Sequence, residues 1–246
     1  MDCAWFTRTP TSMFNSEHHR RIARVLSALN ASVLLDHHCL FGGGTAMALR
    51  YGEYRESVDI DFLISDQAGY RGLRQLLSGS EGMHAITAGG AGTFKQIGAI
   101  RMDQYGIRTR IEVDGHPIKF EIVHEARITL AEPNENDEIC GVSTLTTLDM
   151  ASGKLLANAD RWNDESVFNR DLIDLAMMCA PLPLLREAVR KTEPAYGDSI
   201  RESLGMAIEK IRTKPDWLDR CIQVMAMDVP KSLLWQRIRN VGRVLK

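Results

Sequence analysis

The sequence is short of the features that would tie it to an oxidising compartment or a membrane. Cys3, Cys39, Cys140, Cys179 and Cys221 are its five cysteines in 246 residues. They stand singly, with no Cys-x-x-Cys pair and an odd total, which argues for free, buried thiols in a reducing, cytoplasmic setting. No stretch approaches the roughly 20 apolar residues that span a bilayer, and residues 1–11 carry no signal-peptide pattern. Charge of one sign is also lacking. Thirty Lys and Arg face 32 Asp and Glu, for a formal net charge of −2. The molecule is therefore no polycation, and any nucleic-acid contact must come from a local patch. Internal repeats and low-complexity tracts are absent. What is there is ordinary: 44% hydrophobic and 25% charged residues, enough for one sizeable core or two modest ones.

Periodicity divides the chain. Residues 16–35 read as an amphipathic helix capped by Ser16, with Ile22, Val25, Leu26 and Leu29 at helical spacing. Gly42, Gly43 and Gly44 then precede good helix formers over 46–51, so the glycines sit at a helix start. Residues 57–64 alternate as a strand, and 67–77 as a helix. Residues 79–92 read as a loop. The spacing predicts strands over 96–102, 107–113 and 117–123, the last two joined by Asp114-Gly115, a dipeptide suited to a tight hairpin turn. Residues 133–138 read as a loop. Helices follow over 147–162, 169–179, 184–191, 199–212, 217–227 and 232–244. The fold class is α+β: a mixed unit over 1–145, then a helical region over 146–246.

Asp59 and Asp61 lie two apart in the 57–64 strand and so share a face, while Val58, Ile60 and Phe62 point the other way, toward a core. Adjacent carboxylates resist joint ionisation unless a cation sits between them. A hard divalent ion, Mg²⁺ or Mn²⁺, accepts such oxygen ligands. On its own an Asp-x-Asp pair is more often merely solvated, but Asp is depleted in strands, and a glycine-rich helix start lies just upstream. The glycines bring backbone N–H groups and a positive helix end toward phosphate, with the Thr45 hydroxyl beside them. No Lys-Ser or Lys-Thr follows, and there is no Gly-x-Gly-x-x-Gly, so this is neither a P-loop nor a dinucleotide fingerprint.

The run from Phe41 through Gly42, Gly43, Gly44 and Thr45 to Gly52, followed by Arg55-Glu-Ser57-Val-Asp59-Ile-Asp61-Phe62, resembles the AbiEii/AbiGii toxin family of nucleotidyltransferases within the DNA polymerase β-like superfamily. The second half adds to the resemblance. Met150-Ala-Ser-Gly-Lys154-Leu-Leu-Ala157 and Arg170-Asp171-Leu-Ile-Asp174-Leu175 are similar to the family's later motifs, a Lys on one helix and an Asp on the next. The resemblance implies a polymerase β-like core with flanking helices and a helical region that completes the active site. It implies NTP as substrate and Mg²⁺ or Mn²⁺ as cofactor. Asp59 and Asp61 would hold the metal. Gly43, Gly44, Thr45, Arg55, Ser57 and Lys154 would bind the nucleotide, with Arg55 otherwise pairing with Glu53 or Glu56. Lys154 would offset leaving-group charge, and Asp171 would orient it or act as base, with Asp174 as the alternative. Glu121, sharing a strand face with Lys119, is the candidate third carboxylate.

The implied function is transfer of a nucleoside monophosphate to RNA, tRNA by family analogy, by the toxin of a toxin–antitoxin or phage-defence system with an antitoxin encoded nearby. The competing readings are transfer to a small molecule such as an aminoglycoside, and a non-catalytic binding protein on the same fold. His18-His19 and His37-His38 are poor chelates, since adjacent helical side chains diverge by about 100°, and read as surface or capping residues. Residues 231–246 carry Lys231, Arg237, Arg239, Arg243 and Lys246 without an acid. An amphipathic helix packed on the core is favoured there over an RNA-facing one.

Overall fold

The computed structural model describes residues 14–89 and 92–246, leaving Cys3 and the 1–11 segment outside. The chain forms two compact units. One holds the residues up to Glu53 and Ser57–Thr144; the other holds Tyr54–Glu56 and Leu145–Lys246.

The first unit begins with α1 (Glu17–Ala28), whose Ser16 side chain accepts from the His19 N–H. The helix expected over 16–35 is broken. Leu29 turns extended, and Asn30 starts a second helix, α2 (Ala31–Asp36), by accepting from the Val33 N–H. A short strand, β1 (Leu40–Gly42), runs directly into α3 (Gly43–Arg50). Then come β2 (Ile60–Ile64), α4 (Gln67–Leu77), β3 (Lys95–Met102), β4 (Gly106–Val113) and β5 (His116–His124). The 79–92 loop contains a 3-10 turn at Gly82–Ile86. The small hairpin β6 (Glu138–Ile139) and β7 (Val142–Ser143) closes the unit.

Strands β1 to β5 make one mixed sheet in the order β1-β2-β5-β4-β3. Only β2 and β5 run parallel; the other neighbours are antiparallel. Asp114 and Gly115 both take positive φ between β4 and β5, the backbone that a two-residue hairpin needs. Alternation then sorts the side chains. Ile60, Phe62, Ile64, Ile118, Phe120, Ile122, Ile107 and Ile111 are buried on one face. Phe62 anchors it, with ring centroids 5.4 Å from Phe41 and 5.6 Å from Phe120. Each such ring contributes about 1.5–3 kcal/mol by leaving water. Val58 departs from expectation: it is half exposed, because pairing begins only at Ile60.

The second unit is helical: α5 (Thr147–Arg161), α6 (Arg170–Met177), α7 (Leu182–Tyr196), α8 (Ser199–Thr213), α9 (Trp217–Val224) and α10 (Lys231–Val241). Its core gathers Leu155, Leu156, Leu172, Leu175, Val189, Leu204, Trp217 and Ile238. α7 runs five residues past its expected end, with Pro194 accommodated in its last turn. In the basic C-terminal segment Leu234, Ile238, Val241 and Val244 are buried while Lys231, Arg239 and Lys246 are exposed. That is the packed amphipathic arrangement, with Leu233 left on the outside.

Candidate active site

In the first unit, β1 lies between the chain's approach to the glycine turn and the acidic strand. Gly42 pairs with Asp61, and Asp61 pairs on its other side with Glu121. Gly43 takes φ +67, and a Cβ there would fall 2.5 Å from Asp61 Oδ2 and 2.8 Å from Asp61 Cβ. Glycine is thus required both by conformation and by the close approach of the carboxylate. Gly44 follows in the first turn of α3.

Thr45 is fully buried. Its Oγ1 lies 2.5 Å from the Asp59 carbonyl oxygen and 2.8 Å from Ser57 Oγ. A carbonyl only accepts, so the threonine proton goes to Asp59 and the Ser57 hydroxyl donates to threonine. The hydroxyls of Thr45 and Ser57 are therefore engaged with each other and with the backbone of Asp59. Asp59 and Asp61 themselves are partly exposed on either side of buried Ile60.

Partners across a sheet share a face, so the registers extend this surface. Asp61 stands beside Glu121, Glu121 beside Arg108, Arg108 beside Arg101, and Lys119 beside Arg110. A cavity of about 630 Å³ opens over it, lined by Asp59, Arg101, Arg108, Arg110 and Lys119 together with the bulged Ile97–Ala99 segment of β3. Glu121 accepts from Arg108 Nε at 2.6 Å and from Lys119 Nζ at 2.5 Å. Partial burial would raise its carboxyl, but these two cations hold it below the usual carboxylate range. Burial likewise opposes the Lys119 charge, yet Glu121, then Asp61 and Asp59, raise its pKa. The lysine therefore senses all three carboxylates.

The donor set suits a hard cation: two carboxylates, one of them, Asp61, against a glycine whose missing side chain leaves its oxygen room. Mg²⁺ is commonly held by only one or two protein carboxylates, with water and phosphate completing the shell. Among the described residues no group of three or more His, Cys, Asp or Glu converges as a ready-made metal cage. Glu121 is turned to its two cations.

The second unit contains the other candidates. Asp174 is fully buried and accepts from Arg55 Nε at 2.7 Å, Arg55 Nη2 at 3.0 Å and Tyr54 Oη at 2.6 Å. Lys154 Nζ lies 2.6 Å from Asp174 and 3.1 Å from Asp171. Asp171 also receives Arg161 Nε at 2.7 Å. Burial would raise both aspartates. The charges of Arg55 and Lys154 hold Asp174 far below the usual carboxylate range, and Lys154 with Arg161 hold Asp171 below it. Three cations alternating with two anions compensate one another in a place where any single charge would be costly. Arg55, expected to meet phosphate or a neighbouring glutamate, is gripped by Asp174, 119 residues away.

Of the sheet-face cations, the sequence pattern singled out Lys119 beside Glu121 but not Arg101, Arg108 or Arg110. The signal was present in Arg108-x-Arg110 and Lys119-x-Glu121, alternating with buried positions on adjacent strands.

A mixed sheet carrying a glycine turn against an Asp-x-Asp strand defines a nucleotidyltransferase core. Two solved structures share the fold: one named "putative nucleotidyltransferase from H. pylori", at 18% identity and TM-score 0.52 over 94% of this chain and 97% of that one; the other JHP933 from Helicobacter pylori, at 17% identity and TM-score 0.52 over 94% and 95%. No curated protein gives a significant match. The model of the family described as nucleotidyl transferase AbiEii toxin, type IV toxin–antitoxin system, matches residues 24–239. The chain belongs to that family.

Proposed function

We propose that the protein transfers a nucleoside monophosphate from an NTP to an RNA, with tRNA the family-suggested acceptor, as the toxin of a cytoplasmic toxin–antitoxin pair. One observation carries the reading: Asp59 lies at the rim of a cavity whose other charged walls are Arg101, Arg108, Arg110 and Lys119, with Asp61 beside Glu121 on the same sheet face. Asp59 and Asp61 would hold Mg²⁺ or Mn²⁺, which when bound supplies a Lewis acid for phosphate oxygens and an acidified acceptor hydroxyl. The family resemblance assigns the Gly43–Gly44 turn to the nucleotide, at the positive end of α3. Thr45 and Ser57 keep that turn and Asp59 in register, and Ser57 retains acceptor capacity toward the nucleotide. Glu121 serves as the third carboxylate or as the anchor of Arg108 and Lys119. The family resemblance assigns Lys154 to offsetting leaving-group charge, with Asp171 orienting it and Asp174 as the alternative, and Arg55 to steadying the phosphates. A preorganised array of donors and cations is the main means by which phosphoryl transfer is accelerated.

The sign of the cavity supports a polyanionic acceptor over a polycationic one. A polycationic aminoglycoside calls for an acidic cleft, whereas four cations against one carboxylate favour a polyanion. The test is incubation of the protein with each α-labelled NTP, Mg²⁺ and total RNA, with Asp59→Asn and Asp61→Asn alongside. Label on a tRNA band that disappears in both variants is expected. Label on a small molecule supports the second reading, and no label supports a non-catalytic binding role.

A further inference from the structure

The two carboxylates of the proposed metal pair are held by different means. Asp61 lies within β2 and is laddered on both sides, to Gly42 and to Glu121. Asp59 precedes the strand, which starts at Ile60. Sheet pairing therefore does not fix residues 57–59, and side-chain bonds to their backbone must do so.

Those bonds trace back to the His18–His19 pair of α1. His19 is 1% exposed, so both ring nitrogens need partners. The Ser57 N–H donates to Nε2 at 3.1 Å. A backbone N–H has only a donor role, so Nε2 is the unprotonated nitrogen and the ring proton sits on Nδ1. Nδ1–H then donates to Glu53 Oε1 at 2.8 Å. Glu53 closes the C-terminal end of α3 at φ +54 and also accepts from the Asn15 and Ser16 N–H groups at 2.7 and 3.1 Å. Burial would raise this carboxyl, but the bonds from Asn15, His19 and Ser16 outweigh it and keep it an anionic acceptor. Next along, His18 Nε2 lies 3.1 Å from the Val58 carbonyl oxygen, which accepts when the ring proton sits on Nε2. From Ser57 the chain of bonds runs through its hydroxyl to Thr45 and on to the Asp59 carbonyl.

We infer that His19 is a positioning residue for Asp59, acting through the Ser57 amide, with Glu53 fixing the ring's tautomer. The inference rests on the metal reading of Asp59 and Asp61. It gives the histidine pair a task that neither a chelate nor a surface role provides: a bracket for the three residues that precede the catalytic strand. Groups that hold a metal ligand in place from behind typically change metal affinity or activity by about 10–100-fold when removed.

Two substitutions separate the ring's two bonds. In His19→Asn the amide nitrogen replaces Nδ1 and keeps the Glu53 contact, but nothing accepts from Ser57. In His19→Gln the amide oxygen replaces Nε2 and accepts from Ser57, while the Glu53 contact is lost. Three quantities are measured on the full chain: Mn²⁺ binding by the loss of free-ion EPR signal, the Mn²⁺ dependence of transfer, and hydrogen exchange. His19→Asn is expected to weaken Mn²⁺ binding by about 10-fold or more and to speed exchange at residues 57–59 while β2 stays protected. His19→Gln is expected to recover most of what the asparagine loses. Equal behaviour of the two variants, or faster exchange throughout the first unit, overturns the inference in favour of a merely structural histidine. Wild-type protein that binds Mn²⁺ no better than Asp59→Asn overturns the metal reading itself, and the inference with it. Wild-type binding with an unaffected His19→Asn overturns the inference alone.

Discussion

Gly43 and Asp61 approach so closely that a methyl group on the first would fall 2.5 Å from a carboxylate oxygen of the second. The turn and the acidic strand are thus one steric unit. Gly43→Ala must displace Asp61 or abandon φ +67, and strain at such a position costs on the order of 1 kcal/mol or more. The larger effect falls on chemistry, since a carboxylate misplaced by about 1 Å can cost about 100-fold. Gly43→Ala is therefore expected to lose nucleotidyl transfer by about that factor while keeping a cooperative thermal transition, measured by labelled-NTP transfer and calorimetry.

The cations of the sheet face make a second prediction. Arg101 and Arg110 are exposed and line the cavity beside Asp59. Replacing either by Ala should weaken RNA binding without regard to sequence. It should also lower the slope of log affinity against log salt by about 0.7–0.9 for each phosphate contact removed. Filter binding over a salt series reads this directly. A slope unchanged in the double variant would remove the face from RNA binding.

Asp174 supports a stability prediction. It is fully buried and faces both Arg55 and Lys154. Asp174→Asn removes the anion that Arg55 and Lys154 share, a loss of about 3–5 kcal/mol for a broken buried pair. Thermal melts should show a marked fall in Tm, whereas Asp103→Asn, at an exposed pair with Arg108, should leave it nearly unchanged.

The same network sets an acid limit. Asp171 and Asp174 have folded-state pKa values held below their unfolded ones. Their stabilisation is therefore complete above the unfolded value of about 4 and is lost as pH falls through the depressed folded values. Urea midpoints are expected to be level with respect to these groups from pH 7 to about 5 and to fall below about pH 4, less steeply in Asp174→Asn.

The sequence makes the frame legible where local chemistry is decisive. Asp114-Gly115 demands its hairpin, alternation marks β4 and β5, and Gly43 with Asp61 points to the turn and strand. It is less explicit where tertiary structure intervenes. The helix expected over 16–35 breaks because Leu29 bridges to Thr87 and Asn30 caps anew. Val58 lies outside because the sheet supplies no partner before Ile60. Tyr54–Glu56 belong to the second unit, an excursion too short to leave a compositional trace. Arg55 meets Asp174 across 119 residues. Adjacent histidines look alike in sequence, and only burial shows that His19 is enclosed while His18 is at the surface edge.

The exposed face of the sheet grades in charge from strand to strand, with Asp61 on β2 and Asp59 just before it, Glu121 and Lys119 on β5, Arg108, Arg110 and Glu112 on β4, and Lys95 and Arg101 on β3. Strands lie about 4.8 Å apart, so the sorting amounts to a lateral dipole laid across the sheet. A polyanion arriving from solution feels a torque as well as an attraction. On the proposed function, its backbone is expected to be drawn toward β4 and β3 and held off the Asp59–Asp61 side until a cation neutralises the aspartates. The expected order of binding is then metal and nucleotide before acceptor, set by which strand carries which charge.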